Sequence, residues 1–266
     1  MLDRERELAL VGQLVEGVVD GEPGFAVVEG PAGAGKTALL DVLATDAVNA
    51  GVRVLRATGL ELEREYPFAV VRQLFEPAVH ALDPLERGEV FSGVAALAEE
   101  FLTSRDAPSG PKLANAGFAL SHSFYWSVVG LSDLGPLALV VDDLQWADVL
   151  SLRVLAFVLK RAQELPMLVA LARRVGAEGD EPEALTAVLS EPATVISPAP
   201  LGGYAIGTLL GEALKREVDD DIVAEAERLT DGNPLFVREL ADALSAAGEP
   251  AAQDQLAALR GAAPAA

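Results

Sequence analysis

The chain has 266 residues, 51% of them hydrophobic, no cysteine and a formal net charge of −21. That length carries one large domain, or a medium one with a smaller attachment, and the missing thiols exclude disulfides and thiolate metal sites and fit a reducing, cytoplasmic setting. Such an acidic surface repels nucleic acid and anionic lipid, and apolar runs are broken by charge, Gly or Pro before about 18 residues accumulate, so neither direct DNA binding by this segment nor a membrane span is expected.

The charged start, MLDRERELAL, lacks an apolar signal core. GFAVVEG (24–30) is a short β-rich run ending in glycine, as a buried parallel strand would be. KTALLDVLATDAVNAG (36–51) carries apolar residues at helical spacing, with Gly51 placed to end the helix, and VRVLRA (52–57) reads as a second strand. Residues 24–57 therefore form one strand–loop–helix–strand unit. PFAVVRQLFEPAVHAL and ERGEVFSGVAALAEEFL are two amphipathic helices, TSRDAPSGPK (103–112) is a mobile loop, and 113–133 is a third helix with core aromatics. His80 and His122 read as ordinary helix residues. PLALVVDD (136–143) is an apolar strand ending in two acids, and 148–165 is an amphipathic helix that Asp148 or Ser151 caps. PMLVALARR (166–174) is the next strand, EPEALTAVLS a short helix, and TVISPAPL (194–201) opens with a last strand. From about residue 203 the pattern is helical only, ending in an Ala-rich, frayed tail. Alternating strands and helices imply a parallel sheet covered on both faces, followed by a small helical unit.

GPAGAGKT (30–37) matches G-x-x-x-x-G-K-[ST] in full, between a strand and a helix as that motif demands. The glycines let consecutive backbone N–H groups turn inward as an anion nest, and the helix N-terminus adds partial positive charge. Gly30, Pro31, Ala32, Gly33, Ala34, Gly35, Lys36, Thr37 and Ala38 are thus the expected phosphate contacts of ATP or ADP. Lys36 supplies a full charge to the outer phosphates, and the Thr37 hydroxyl can ligate Mg²⁺. Such a cluster reverses the field locally, so an acidic protein can still hold ATP. Asp142 and Asp143 end an apolar strand at the edge where open parallel sheets bind ligands. Asp142 is expected to hold Mg²⁺ and Asp143 to polarise the attacking water, the plain alternative being a helix-capping acid pair. Arg173 and Arg174 end the next strand at the same edge, where an arginine senses phosphate or stabilises charge in transfer; the alternative is a solvated pair.

Taken together, DRERELAL (3–10), GPAGAGKT, LEREYPFAVVRQLFEP (62–77), LVVDDLQWAD and DGNPLFVREL (231–240) resemble the N-terminal ATPase domain of the large ATP-binding LuxR-type transcriptional regulators, within the STAND branch of the AAA-like P-loop NTPases. The resemblance runs to about residue 245. It implies a three-layer α/β P-loop fold in which an extra strand separates the P-loop strand from the acidic strand. It also implies an α/β core over 1–200, a small helical lid over 201–248 and a flexible tail over 249–266. It places Arg4 at the border of the adenine, Pro234 of the G-N-P turn against the adenine, and the phosphate-sensing role on Arg174 ahead of Arg173. Two positions depart from the family pattern. Asp3 stands where a glycine is usual, and Gln145 stands where a histidine precedes the tryptophan. The helical-repeat region and helix-turn-helix usual in such regulators are not in these residues.

Three functions are compatible with these features. The first is a Mg-ATP switch that hydrolyses ATP slowly to ADP and phosphate and bridges the core and the helical unit. The second is a P-loop small-molecule kinase, which would need an acceptor pocket. The third is a nucleotide-binding module that acts by association with itself or a protein partner.

Overall fold

A computed structural model describes residues 1–104, 111–175 and 182–246, with 111–116 described by their backbone alone. The expected loop at 103–112 falls largely on residues 105–110, and the expected tail on 247–266; both lie outside the described residues. The chain divides into two units. One comprises Leu8–Glu29 and Thr37–Ser197, the other Met1–Glu7, Gly30–Lys36 and the chain from Pro198.

The larger unit is built on five strands, β1 (Gly24–Gly30), β2 (Arg53–Thr58), β3 (Leu137–Asp142), β4 (Met167–Arg174) and β5 (Thr194–Ile196), in the order β2-β3-β4-β1-β5. The pairs β2–β3, β3–β4 and β1–β5 are parallel, with Leu55 opposite Leu139, Val140 opposite Ala170 and Val28 opposite Ile196. β4 therefore separates β1, the strand before the glycine loop, from β3, the strand before the acids. All six residues of β3 are buried, which is why it reads as one apolar run rather than an alternating one. Successive side chains serve opposite faces. Leu137, Leu139 and Val141 join the core on one side, with Met167, Val169 and Leu171 of β4. Ala138 and Val140 join the other, with Leu168, Ala170 and Ala172.

The second face is covered by α1 (Glu5–Val19), through Val11, Val15 and Val18, and by α2 (Lys36–Asn49), through Leu39, Leu40 and Leu43. Val11, Val15 and Val18 recur at helical spacing. At the end of α2, Gly51 takes φ +84°, while Val52 N–H donates to Ala47 O at 2.9 Å, a left-handed stop. The first face carries α3 (Ala69–Ala81), α4 (Pro84–Val90), α5 (Ala96–Thr103), α6 (Pro111–Asp133), α7 (Val149–Leu159) and α8 (Glu183–Leu189). Here the structure corrects two expected spans. Residues 86–102 do not form one helix. α4 begins in a capping box between Asp83 and Glu86 and ends at Val90; Gly93 then takes φ +55°, a conformation a helix cannot carry, and α5 starts afresh. The helix expected over 148–165 ends at Leu159. Pro166 disfavours a helical Leu165 and feeds the chain into β4.

The smaller unit contains α9 (Gly203–Leu214), α10 (Asp220–Thr230) and α11 (Pro234–Ala246). Their shared core is Ala205, Ile206, Leu210, Ile222, Ala226, Val237, Leu240 and Leu244, with Leu2 packed on it. No helix among the described residues is long and apolar enough to cross a membrane.

Candidate phosphate and metal site

In the smaller unit the loop Gly30–Lys36 is bent by Gly33 at φ +77° and Gly35 at φ +95°. Only glycine adopts these angles cheaply. At Gly33 space forbids a side chain as well: a Cβ would lie 2.5 Å from Leu235 Cβ and 2.6 Å from Asn233 Oδ1. Lys36 is 7% exposed, and its Nζ donates to Gly30 O at 3.1 Å and Pro31 O at 2.8 Å. The ammonium is thus held over the loop by the loop's own carbonyls. Arg4, 2% exposed, donates from Nη1 to Asp3 O at 2.8 Å and from Nη2 to Ala34 O at 3.4 Å. Asp3, the residue standing where glycine is usual, adopts φ +50°, and its Oδ2 accepts from Gly202 N–H at 2.9 Å.

The G-N-P turn meets the same loop. Asn233 Nδ2 donates to Ala32 O at 2.8 Å, and its Oδ1 accepts from Leu235 N–H at 3.0 Å. One amide therefore caps the start of α11 and braces the loop. Pro234 occupies the first position of α11, where its missing N–H costs nothing. Sequence reasoning assigned no role to Asn233.

The larger unit holds the acids. Thr37 Oγ1 donates to Asp142 Oδ2 at 2.6 Å, and Asp142 Oδ1 accepts from Asp143 N–H at 2.8 Å. Asp142 is buried, while Thr37 and Ala38 are exposed at the start of α2. Asp143 sits in the left-handed region, φ 47° and ψ 46°, unusual for a residue with a side chain. Its Oδ1 accepts from Gln145 Nε2 at 2.8 Å, and Gln145 Oε1 accepts from Arg174 N–H at 2.9 Å. Arg173 is tied by Nε to Glu29 Oε1 at 2.8 Å, whereas the Arg174 side chain is exposed at the end of β4. Both arginines stand at the edge that carries Asp142 and Asp143. His80 is exposed on α3, and His122 Nε2 accepts from Trp126 Nε1 at 3.1 Å.

Asp148 is the residue whose role sequence reasoning saw least fully. It caps α7 through Ser151 N–H at 2.9 Å, as expected, but Oδ1 also accepts from Phe68 N–H at 2.8 Å and Oδ2 from Val70 N–H at 3.4 Å. One buried carboxylate therefore caps two helices.

Chemically, the larger unit presents a hydroxyl and a carboxylate side by side. Both are hard oxygen donors, and the pair fits Mg²⁺, which takes one or two protein oxygens and completes its shell with water and phosphate. Among the described residues, no group of three or more His, Asp or Glu converges as an all-protein metal cage.

Comparison with known proteins bears on the family and the fold. The family profile described as an AAA ATPase domain matches residues 2–170. No curated protein matches the chain. Among solved structures, Cdc6p from Pyrobaculum aerophilum superposes with TM-score 0.59 at 16% identity, covering 95% of this chain and 62% of that one. The Aeropyrum pernix ORC1 protein, solved in complex with DNA, gives TM-score 0.52 at 17% identity, covering 93% and 60%. These likenesses concern the fold, and the chain spans about three-fifths of either structure's length.

Proposed function

We propose, starting from the fact that this chain belongs to the AAA ATPase domain family, that it binds Mg-ATP, hydrolyses it slowly and serves as a nucleotide-dependent switch. The finer reading is a regulatory domain of the LuxR-type, STAND kind, in the cytoplasm. The observation that carries the proposal is the 2.6 Å bond between Thr37 and Asp142, directly after a complete phosphate-loop motif. In that motif hydroxyl and acid are the two protein oxygens of a Mg-triphosphate site.

In this reading the backbone N–H groups of residues 30–38 cradle the phosphates, and Lys36 neutralises the outer ones. Thr37 and Asp142 would hold Mg²⁺, which supplies charge neutralisation on the phosphate oxygens. Arg4 and Pro234 border the adenine. Asp143 accepts a proton from water as the water oxygen bonds to the γ-phosphorus. The bond to the β-phosphate oxygen breaks, and ADP leaves with the electron pair. Arg174 responds to the γ-phosphate and Arg173 is second in that role. A ligand moves the two-state equilibrium only by its differential affinity for the states, so ATP and ADP must bind them unequally. The charge of −21 argues against direct DNA contact, so the output in this reading runs through self-association or a protein partner.

Calorimetric titration with ATP and ADP, with and without Mg²⁺, tests the reading, with particle size followed by light scattering. Tight, Mg-dependent ATP binding is expected, and Lys36→Ala should weaken it about a hundredfold or more through loss of a charge-assisted phosphate contact. Unchanged affinity in that variant rejects the site.

A further inference from the structure

We propose that Gln145 is a positioning residue, a rigid amide link that couples the end of β4 to the carboxylate of Asp143. The inference rests on the ATPase reading above and adds to it the route by which the phosphate-sensing strand controls the base. Its orientation follows from chemistry. A backbone N–H can only donate, so the group facing Arg174 N–H must be the amide oxygen, at 2.9 Å. The amide nitrogen then has only hydrogens to offer, and it offers one to Asp143 Oδ1 at 2.8 Å. No flipped amide satisfies both ends.

Two consequences follow for Asp143. Its Oδ1 is occupied, and Oδ2 carries no protein hydrogen bond among the described residues, leaving one oxygen to take a proton from water. Its left-handed backbone, φ 47°, fixes the direction in which the side chain leaves the main chain, so the freedoms left for the amide to restrain are the two side-chain torsions. On the other side, Arg173 anchors β4 to Glu29 at 2.8 Å, one residue before Gly30. The last peptide of β4 is therefore held to β1 by one side chain and to Asp143 by another. Movement of Arg174 toward phosphate pulls on an N–H whose acceptor is Gln145, and Gln145 turns the carboxylate. A small displacement passes through two short bonds without a flexible joint.

Gln145→Glu separates this role from simple bracing of the strand end. The glutamate still accepts from Arg174 N–H, but it cannot donate to Asp143. Gln145→Leu loses both bonds. Three measurements on the whole chain suffice: hydrogen exchange at the Arg174 amide without nucleotide, ATP affinity, and single-turnover hydrolysis. Gln145→Glu should keep the Arg174 amide protected and ATP affinity within about threefold, yet slow hydrolysis about tenfold or more, the scale of a misaligned base. Gln145→Leu should lose the amide protection as well. Wild-type hydrolysis in Gln145→Glu overturns the inference and leaves only a brace. A loss of ATP affinity that tracks a falling melting temperature in both variants also overturns it. The failure of the nucleotide-binding reading shows elsewhere, in a wild-type chain that holds no ATP; a wild type that holds ATP without ever cleaving it overturns the hydrolytic part of that reading and the inference with it, whereas wild-type cleavage in Gln145→Glu overturns the inference alone.

Discussion

Asp148 accepts three backbone N–H groups while 3% exposed. Each bond offsets the cost of burying an amide, and together they hold the charge. Phe68, whose N–H donates the shortest of them, adopts φ 62°, a strained angle for a bulky residue that the carboxylate keeps in place. Asp148→Ala is therefore expected to lower unfolding free energy by about 2–4 kcal/mol, from unpaired amides and two lost caps. Urea denaturation measures this, and a loss below about 1 kcal/mol would contradict it. Residues of this kind mark the limit of sequence reasoning here. Motif spacing singled out Lys36 and Thr37 as candidates, and the apolar run before it singled out Asp142; the structure brings Thr37 and Asp142 within 2.6 Å. Gln145 to Arg174, Asp148 to Phe68 and Asn233 to Ala32 join residues 29, 80 and 201 positions apart. Each uses one side chain on one backbone group, and such bonds leave no periodic trace.

Elements were more legible than their ends. β1, β2 and β3 stand where β-rich runs lead into glycine, threonine or acids, whereas β4 ends in two arginines and β5 leads into Ser197; the central β3 and β4 read as continuous apolar runs because strands buried on both faces must be so. Helices on the first face were joined too readily, since an amphipathic pattern continues across Gly93 although the backbone does not. The opening helix was obscured by its charges, although Val11, Val15 and Val18 carry the period. Packing between helices adds a constraint that no pattern reveals. Gly130 on α6 faces the backbone of α4 so closely that a Cβ would lie 2.9 Å from Val90 Cα and 3.0 Å from Val90 O. Gly130→Ala should gain about 1 kcal/mol in helix propensity and lose more by forcing two backbones apart, a net loss of about 1–2 kcal/mol. Gly12→Ala on α1, where the new methyl meets nothing within 4 Å beyond its chain neighbours and its own helix backbone, should instead stabilise by about 0.5–1 kcal/mol. Opposite signs in thermal melts check the pair, and equal signs would refute the packing argument.

At the scale of the molecule, the smaller unit is assembled from Met1–Glu7, Gly30–Lys36 and the chain from Pro198, so its phosphate loop is braced by residues made far later. At about 5–20 residues per second, Asn233 leaves the ribosome roughly 10–40 s after Ala32. During that interval the nascent glycine loop lacks the amide that holds it. In the proposed reading, nucleotide is then acquired only after Asn233 has emerged, whatever the sheet has already achieved. Ribosome-arrested chains halted with residue 220 just emerged should wash through immobilised ATP, while released full-length chains stay bound; retention of the arrested species would show that the early polypeptide needs no later help.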